Sequence, residues 1–101
     1  MKVKEKEIGF LYNVGAMCDY QDWCVQNQKS SIAAAELVKI EYMTRAYAAE
    51  HGTKDILTVS ELRKMMPYEL EDIIKAAHEA EQASNKRQVE TVEAPKKTDA
   101  K

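Results

Sequence analysis

Residues 30–52, SSIAAAELVKIEYMTRAYAAEHG, decide the fold. They form the longest stretch with a helical repeat, and they carry both a start and a stop. Ser30 or Ser31 can accept a hydrogen bond from the free amides of a first helical turn. Gly52 can take the left-handed backbone that closes a helix, with Thr53-Lys54-Asp55 as the turn beyond it. At about 100° per residue, Ile32, Ala35, Val38, Ile40, Tyr42, Met43, Ala46, Tyr47 and Ala49 fall on one broad arc. Glu41, Thr44, Arg45 and His51 lie opposite, with Leu37 the apolar member of that side. The arc is interrupted by Glu36, Lys39 and Glu50 and is wider than one neighbouring helix needs. It reads either as the centre of a monomeric bundle or as a helix partly covered by another chain.

Working outward, Asn13 is the N-cap expected for a first helix over about 14–25. Val14, Met17, Cys18 and Gln21 form its stripe, with Trp23, Cys24 and Val25 as apolar bulk at its end. Gln26–Lys29 then makes a tight loop, so this helix and the central one (31–51) form an antiparallel hairpin. Downstream, Thr58 and Glu61 have the spacing of a capping box, and Leu57 before the cap can staple onto Leu62. This predicts a short helix over 59–66. Pro67 cannot sit inside a helix but suits a first turn, so a fourth helix is expected over about 68–84, with Glu69, Glu71 and Asp72 near its positive end. Its buried face is traced by Leu70, Ile73, Ile74, Ala77, Ala80 and Glu81. Residues 85–101, with little to bury and a proline, read as a disordered charged tail.

At the other end, residues 1–7 read as a solvated leader. Ile8 and Phe10 share a face of a short strand that would need a partner. Pairing across a subunit boundary and a plain extended arm packed on the helices both satisfy that need. The fold class is therefore all-α: one domain over 1–84, a small, irregular four-helix bundle with a short strand or extended arm at its N-terminus.

The charge balance is close to neutral over 101 residues, with a formal net charge of −2. Residues 1–84 hold 10 Lys/Arg against 14 Asp/Glu, and residues 85–101 hold 5 against 3. Neither part offers the basic field that nucleic acid or an anionic membrane requires. No run approaches the roughly 20 apolar residues of a membrane span, and the charged start MKVKEKE is unlike a secretion signal. Cys18 and Cys24, six apart on one helix, point about 120° from each other and cannot bridge without a break. Free thiols of a reducing cytoplasm, small and buried, are the expectation.

The residues give no catalytic set. Gly9, Gly15 and Gly52 are isolated, so there is no phosphate-binding loop, and zinc or calcium motifs are missing. His51, 27 residues before His78, suits a helix C-terminus, and His78 an exposed edge. Neither cysteine has a histidine nearby in sequence to serve as its base. A helix-turn-helix reading of 58–84 founders on Glu69, Glu71 and Asp72, which would face phosphate. The expectation is a non-enzymatic protein with no cofactor, no metal and no nucleic-acid or membrane partner. Protein binding remains, with Phe10, Trp23, Ile32, Tyr42, Met43, Tyr47, Met65 and Met66 as candidate contacts, and Tyr12, Tyr20 and Tyr68 beside them. The same side chains would serve equally as core.

The order of signals resembles a known family. IGFLYNVGAM precedes a helix, an alanine-rich second helix ends at Gly52, and LTVSELRKMM and PYELEDIIKAAHEA lead to a charged tail. Over about Ile8–Ala83 this is similar to the small helical tail assembly chaperones of long-tailed bacteriophages and prophages. The residues concerned are Phe10 and Asn13, then Leu57, Thr58, Glu61 and Leu62, and the closing IIKAAHEA. The resemblance implies a cytoplasmic protein of the bacterial host that self-associates and binds the tape measure protein until tail tube subunits displace it. It also implies that a frameshifted longer product can exist. A small structural or head–tail connector virion protein, and a helical adaptor unrelated to phage, are the alternatives.

Overall fold

The computed structural model describes the backbone of residues 1–100 and the side chains through Asn85. Its described part is mostly helical, with four helices and one two-stranded antiparallel sheet. The local signals act where the sequence puts them. Asn13 Oδ1 accepts from the Ala16 amide (2.9 Å) to start α1 (Val14–Gln26). Ser31 Oγ accepts from the Ala34 amide (3.0 Å) to start α2 (Ile32–His51), and Gly52 ends it at φ 67°. Thr58 and Glu61 make the reciprocal capping box of α3 (Val59–Arg63). Pro67 opens α4 (Pro67–Ala100), where Glu69 Oε1 reaches back to the Met66 amide at 2.9 Å.

Five boundaries differ, two of them by a single residue: α1 ends at Gln26 rather than Val25, and α2 starts at Ile32 rather than Ser31. α3 stops at Arg63 rather than Met66, because the chain must turn before the proline that starts α4. α4 begins at Pro67 instead of Tyr68, and its backbone continues past Ser84. That continuation runs through the stretch read as a tail, where Lys, Arg, Gln and Glu are good helix formers. The expected disorder of 85–101 otherwise falls on side chains outside the described residues.

The N-terminal strand finds its partner within the chain. β1 (Lys2–Val3) and β2 (Lys6–Glu7) form a hairpin with Lys2 opposite Glu7 and Val3 opposite Lys6. The leader is thus not simply solvated. Val3 joins Ile8, Ile40, Met43, Leu57, Leu62, Ile73 and Ala77 in the core, while Lys2, Lys4 and Glu5 stay in water. Lys6 anchors the hairpin: its ammonium donates to the Ile56 carbonyl (3.2 Å) and to Glu61 (2.7 Å). Asp55 accepts from the Glu7 amide at 3.1 Å.

α2 is buried on two opposite sides, which corrects the single-arc reading. One side carries Leu37, Ile40, Met43 and Thr44 toward the hairpin, α3 and α4. The other carries half-buried Tyr42 and Ala46 across a cleft from Asn13 and from Gly15, Ala16 and Asp19 of α1, with Ala49 exposed at its edge. Thr44, expected on the wet side, is 0 % exposed. Its hydroxyl donates to the Glu41 carbonyl (2.9 Å) and accepts from the buried Leu57 amide (3.1 Å). A helix sandwiched in this way has no clean polar face, so a periodicity argument built on one face misplaces its members.

Candidate functional site

The eight candidate contact residues do not converge on one surface. Met43 is 1 % exposed and belongs to the core, so it cannot meet a partner in this fold. Phe10 and Met65 are half-buried and pack against that core. Tyr47 is held between the arm and the helix end. A Cβ added to Gly9 would overlap its ring, and its other neighbour is His51, stacked at 4.0 Å. His51 is therefore a ring-stacking residue in the last turn, and Gly52 is the cap. Tyr42 is half-buried in a cleft of about 370 Å³ between α1 and α2. Trp23 is half-buried on α1. Only Ile32, 89 % exposed, and Met66 stand free.

The polar interruption at Lys39 is a junction. Its ammonium pairs with Glu81 of α4 at 2.7 Å and lies 5.0 Å from the Tyr12 ring centre and 5.5 Å from that of Tyr20. Both tyrosines give up water here. Burial is the main cause that raises the Tyr12 phenol. Burial and then the neighbouring Cys24 thiol push Tyr20 up to about 12. One cation thus ties the arm, α1, α2 and α4 together, with the ring faces supplying part of its solvation. Sequence reasoning treated Lys39 as a flaw in the arc because its partners lie far along the chain, although Glu81 had been placed on the inner face of α4.

α1 presents the surface that sequence reasoning turned the wrong way. Its inner side consists of Ala16, Tyr20, Trp23 and Cys24, all buried or half-buried. The expected stripe of Val14, Met17, Cys18 and Gln21 splits: Met17 is half-buried, whereas Val14, Cys18 and Gln21 are exposed, together with Val25 from the helix end. Cys18 is accordingly a solvent-facing free thiol, and only Cys24 approaches the buried role expected of both. The spacing of 4, 3 and 4 residues is that of a coiled-coil seam. Ile32, just beyond the Asn27–Ser31 loop, is exposed at the start of α2. A second exposed pair, Met66 and Tyr68, brackets Pro67 at the α3–α4 turn. Tyr68 is exposed, as expected of a candidate contact, whereas Val14 was legible as a surface residue only once the inner face of α1 was known.

These features define a mostly helical protein with an exposed stripe on α1. No cluster of metal-ligating side chains occurs among them. None of their helices is long and apolar enough to cross a membrane. Comparison with protein-family models, curated proteins and solved structures gave no match in any of the three.

Proposed function

We propose that the protein is a non-enzymatic tail assembly chaperone of a phage or prophage, acting in the bacterial cytoplasm on the tape measure protein. The observation that carries this reading is the outward α1 stripe of Val14, Cys18, Gln21 and Val25. Seam-like spacing on an exposed helix suits the apolar stripe of another helix better than a small molecule or a nucleic acid. Ile32, at the start of α2, is a further exposed apolar side chain at the hairpin end. The tape measure protein is a long helical chain whose apolar stripes need cover before the tail tube encloses them. The layout of helices and caps that carries the family resemblance over Ile8–Ala83 is the second support.

Co-expression with the tape measure protein encoded nearby tests the reading. The chaperone is expected to co-purify with it and keep it soluble, and Val14→Glu with Val25→Glu is expected to abolish capture without unfolding the domain. Recovery of a soluble tape measure protein in its absence, with no complex formed in its presence, would overturn the reading. A complex untouched by the α1 substitutions would move the contact off this surface.

A further inference from the structure

The turn of the N-terminal hairpin is built from residues that suit it poorly. Lys4 (φ 48°) and Glu5 (φ 69°) are consecutive and both left-handed. A two-residue connection of this kind is normally filled by Asn-Gly, because glycine lacks a Cβ and asparagine's short polar side chain tolerates the left-handed region, whereas longer side chains such as Lys and Glu are strained there. The strands it joins are two residues each, and Met1 adds an ammonium pair to Glu7 (3.0 Å) and two bonds with the Ile8 backbone (2.9 and 2.7 Å), contacts that the same segment makes whichever copy supplies it. Yet the slot that receives β1 is well formed. Val3 is 8 % exposed within the core cluster, and Met65, Glu69, Asp72 and Ile73 border a groove of about 190 Å³ along β1 and the turn.

We propose that this hairpin is a self-association device: the turn at Lys4–Glu5 opens, and β1 of each copy docks on β2 of a second copy. The occupant of the slot is then the same segment supplied by another chain. The ladder keeps its register, Lys2 of one copy against Glu7 of the other and Val3 against Lys6. Each Val3 fills the core position that its counterpart vacates. Every native contact of β1 is thus retained, and the difference between the two states lies in the turn. A short connection under strain is the arrangement that favours such exchange. Residues 4 and 5 become a linker between two small ladders, free to leave the left-handed region. The inference is independent of the tape measure reading, since it concerns only contacts of this chain with itself.

The test measures mass by light scattering on the full chain from micromolar to millimolar concentration. The expected result is a monomer–dimer equilibrium. Lys4→Asn with Glu5→Gly, which supplies the residues that the closed turn prefers, is expected to raise the dissociation constant at least tenfold and also to raise the melting temperature. A second variant reads the connectivity directly. Lys2→Cys with Glu7→Cys, oxidised at high concentration, is expected to give a covalent dimer on a non-reducing gel. The parent chain, which retains Cys18 and Cys24, is the control. A monomer throughout the range overturns the proposal. So does a dimer that the Asn-Gly turn leaves unchanged and in which the new cysteines close only within one chain.

Discussion

Replacing Thr44 with valine would remove a buried hydroxyl that bonds to the Glu41 carbonyl and to both backbone groups of Leu57. The two side chains have nearly the same shape, so no cavity opens at a position that is fully buried. What is lost is the oxygen that receives the Leu57 amide at 3.1 Å. Leu57 is itself buried, and a buried donor left without a partner costs about 1–3 kcal/mol. The Glu41 carbonyl, to which the Thr44 hydroxyl donates, sits inside α2 and keeps its helical environment. Thr44→Ser retains the oxygen and removes one methyl, for which about 1 kcal/mol is expected. Valine is therefore expected to destabilise at least as much as serine, although it is the better match in volume. Urea unfolding followed by far-UV circular dichroism reads the difference as a shift in midpoint at constant slope. Each kcal/mol corresponds to roughly 4–8 °C in melting temperature for a domain of this size. Faster hydrogen exchange at the Leu57 amide in the valine variant would locate the loss. A valine variant as stable as the parent, beside a weakened serine variant, would refute the reasoning. Thr44 would then matter as filler and not as the anchor of the α2–α3 connection.

Gly9→Ala is expected to cost about 1–3 kcal/mol, because the new methyl overlaps the Tyr47 ring and overpacking is destabilising. The cost should shrink in a Tyr47→Ala background, and an unchanged cost in that double-mutant cycle would place the strain elsewhere. Met43→Ala should lose about 2–5 kcal/mol as a core truncation. Ile32→Ala, by contrast, should stay within about 0.5 kcal/mol of the parent, so thermal melts of the pair check the split between core and surface. The Glu61 carboxyl lies below its ordinary value of 4.5, chiefly through its hydrogen bond to Lys6 and then through the Thr58 amide. A depressed carboxyl contributes stability above its unfolded value and loses it as pH falls through the lower folded value. Urea midpoints should therefore drop below about pH 4.5 less steeply in Glu61→Gln than in the parent; parallel acid limbs would contradict this assignment.

The helix ends were legible because each depends on residues within a turn of one another. Asn13, Ser31, Gly52 and the Thr58/Glu61 pair act through bonds no more than a few residues long, and Pro67 acts through its own ring. The four-helix class followed from those ends together with the periodic segments between them. The contact surface was less legible. Val14, Met17, Cys18 and Gln21 were visible as a stripe, yet nothing in α1 alone says which of them α2 covers and which meet solvent. The opposite side, with Ala16, Tyr20, Trp23 and Cys24, offers larger rings, and packing selected that side.

By itself, then, the sequence determined the all-α class, the number of helices and the residues that cap their starts, together with the Gly52 stop of α2. Tertiary structure decided which faces are inside. It turned Thr44 into a core anchor through a partner 13 residues away and gave Lys6 a carboxylate 55 residues away. It also made Lys39 a junction with Glu81 and folded the leader back into a hairpin. The physical reason is the range of the interactions. Capping and propensity are settled within a turn or two of backbone, whereas burial is settled by which distant surfaces meet.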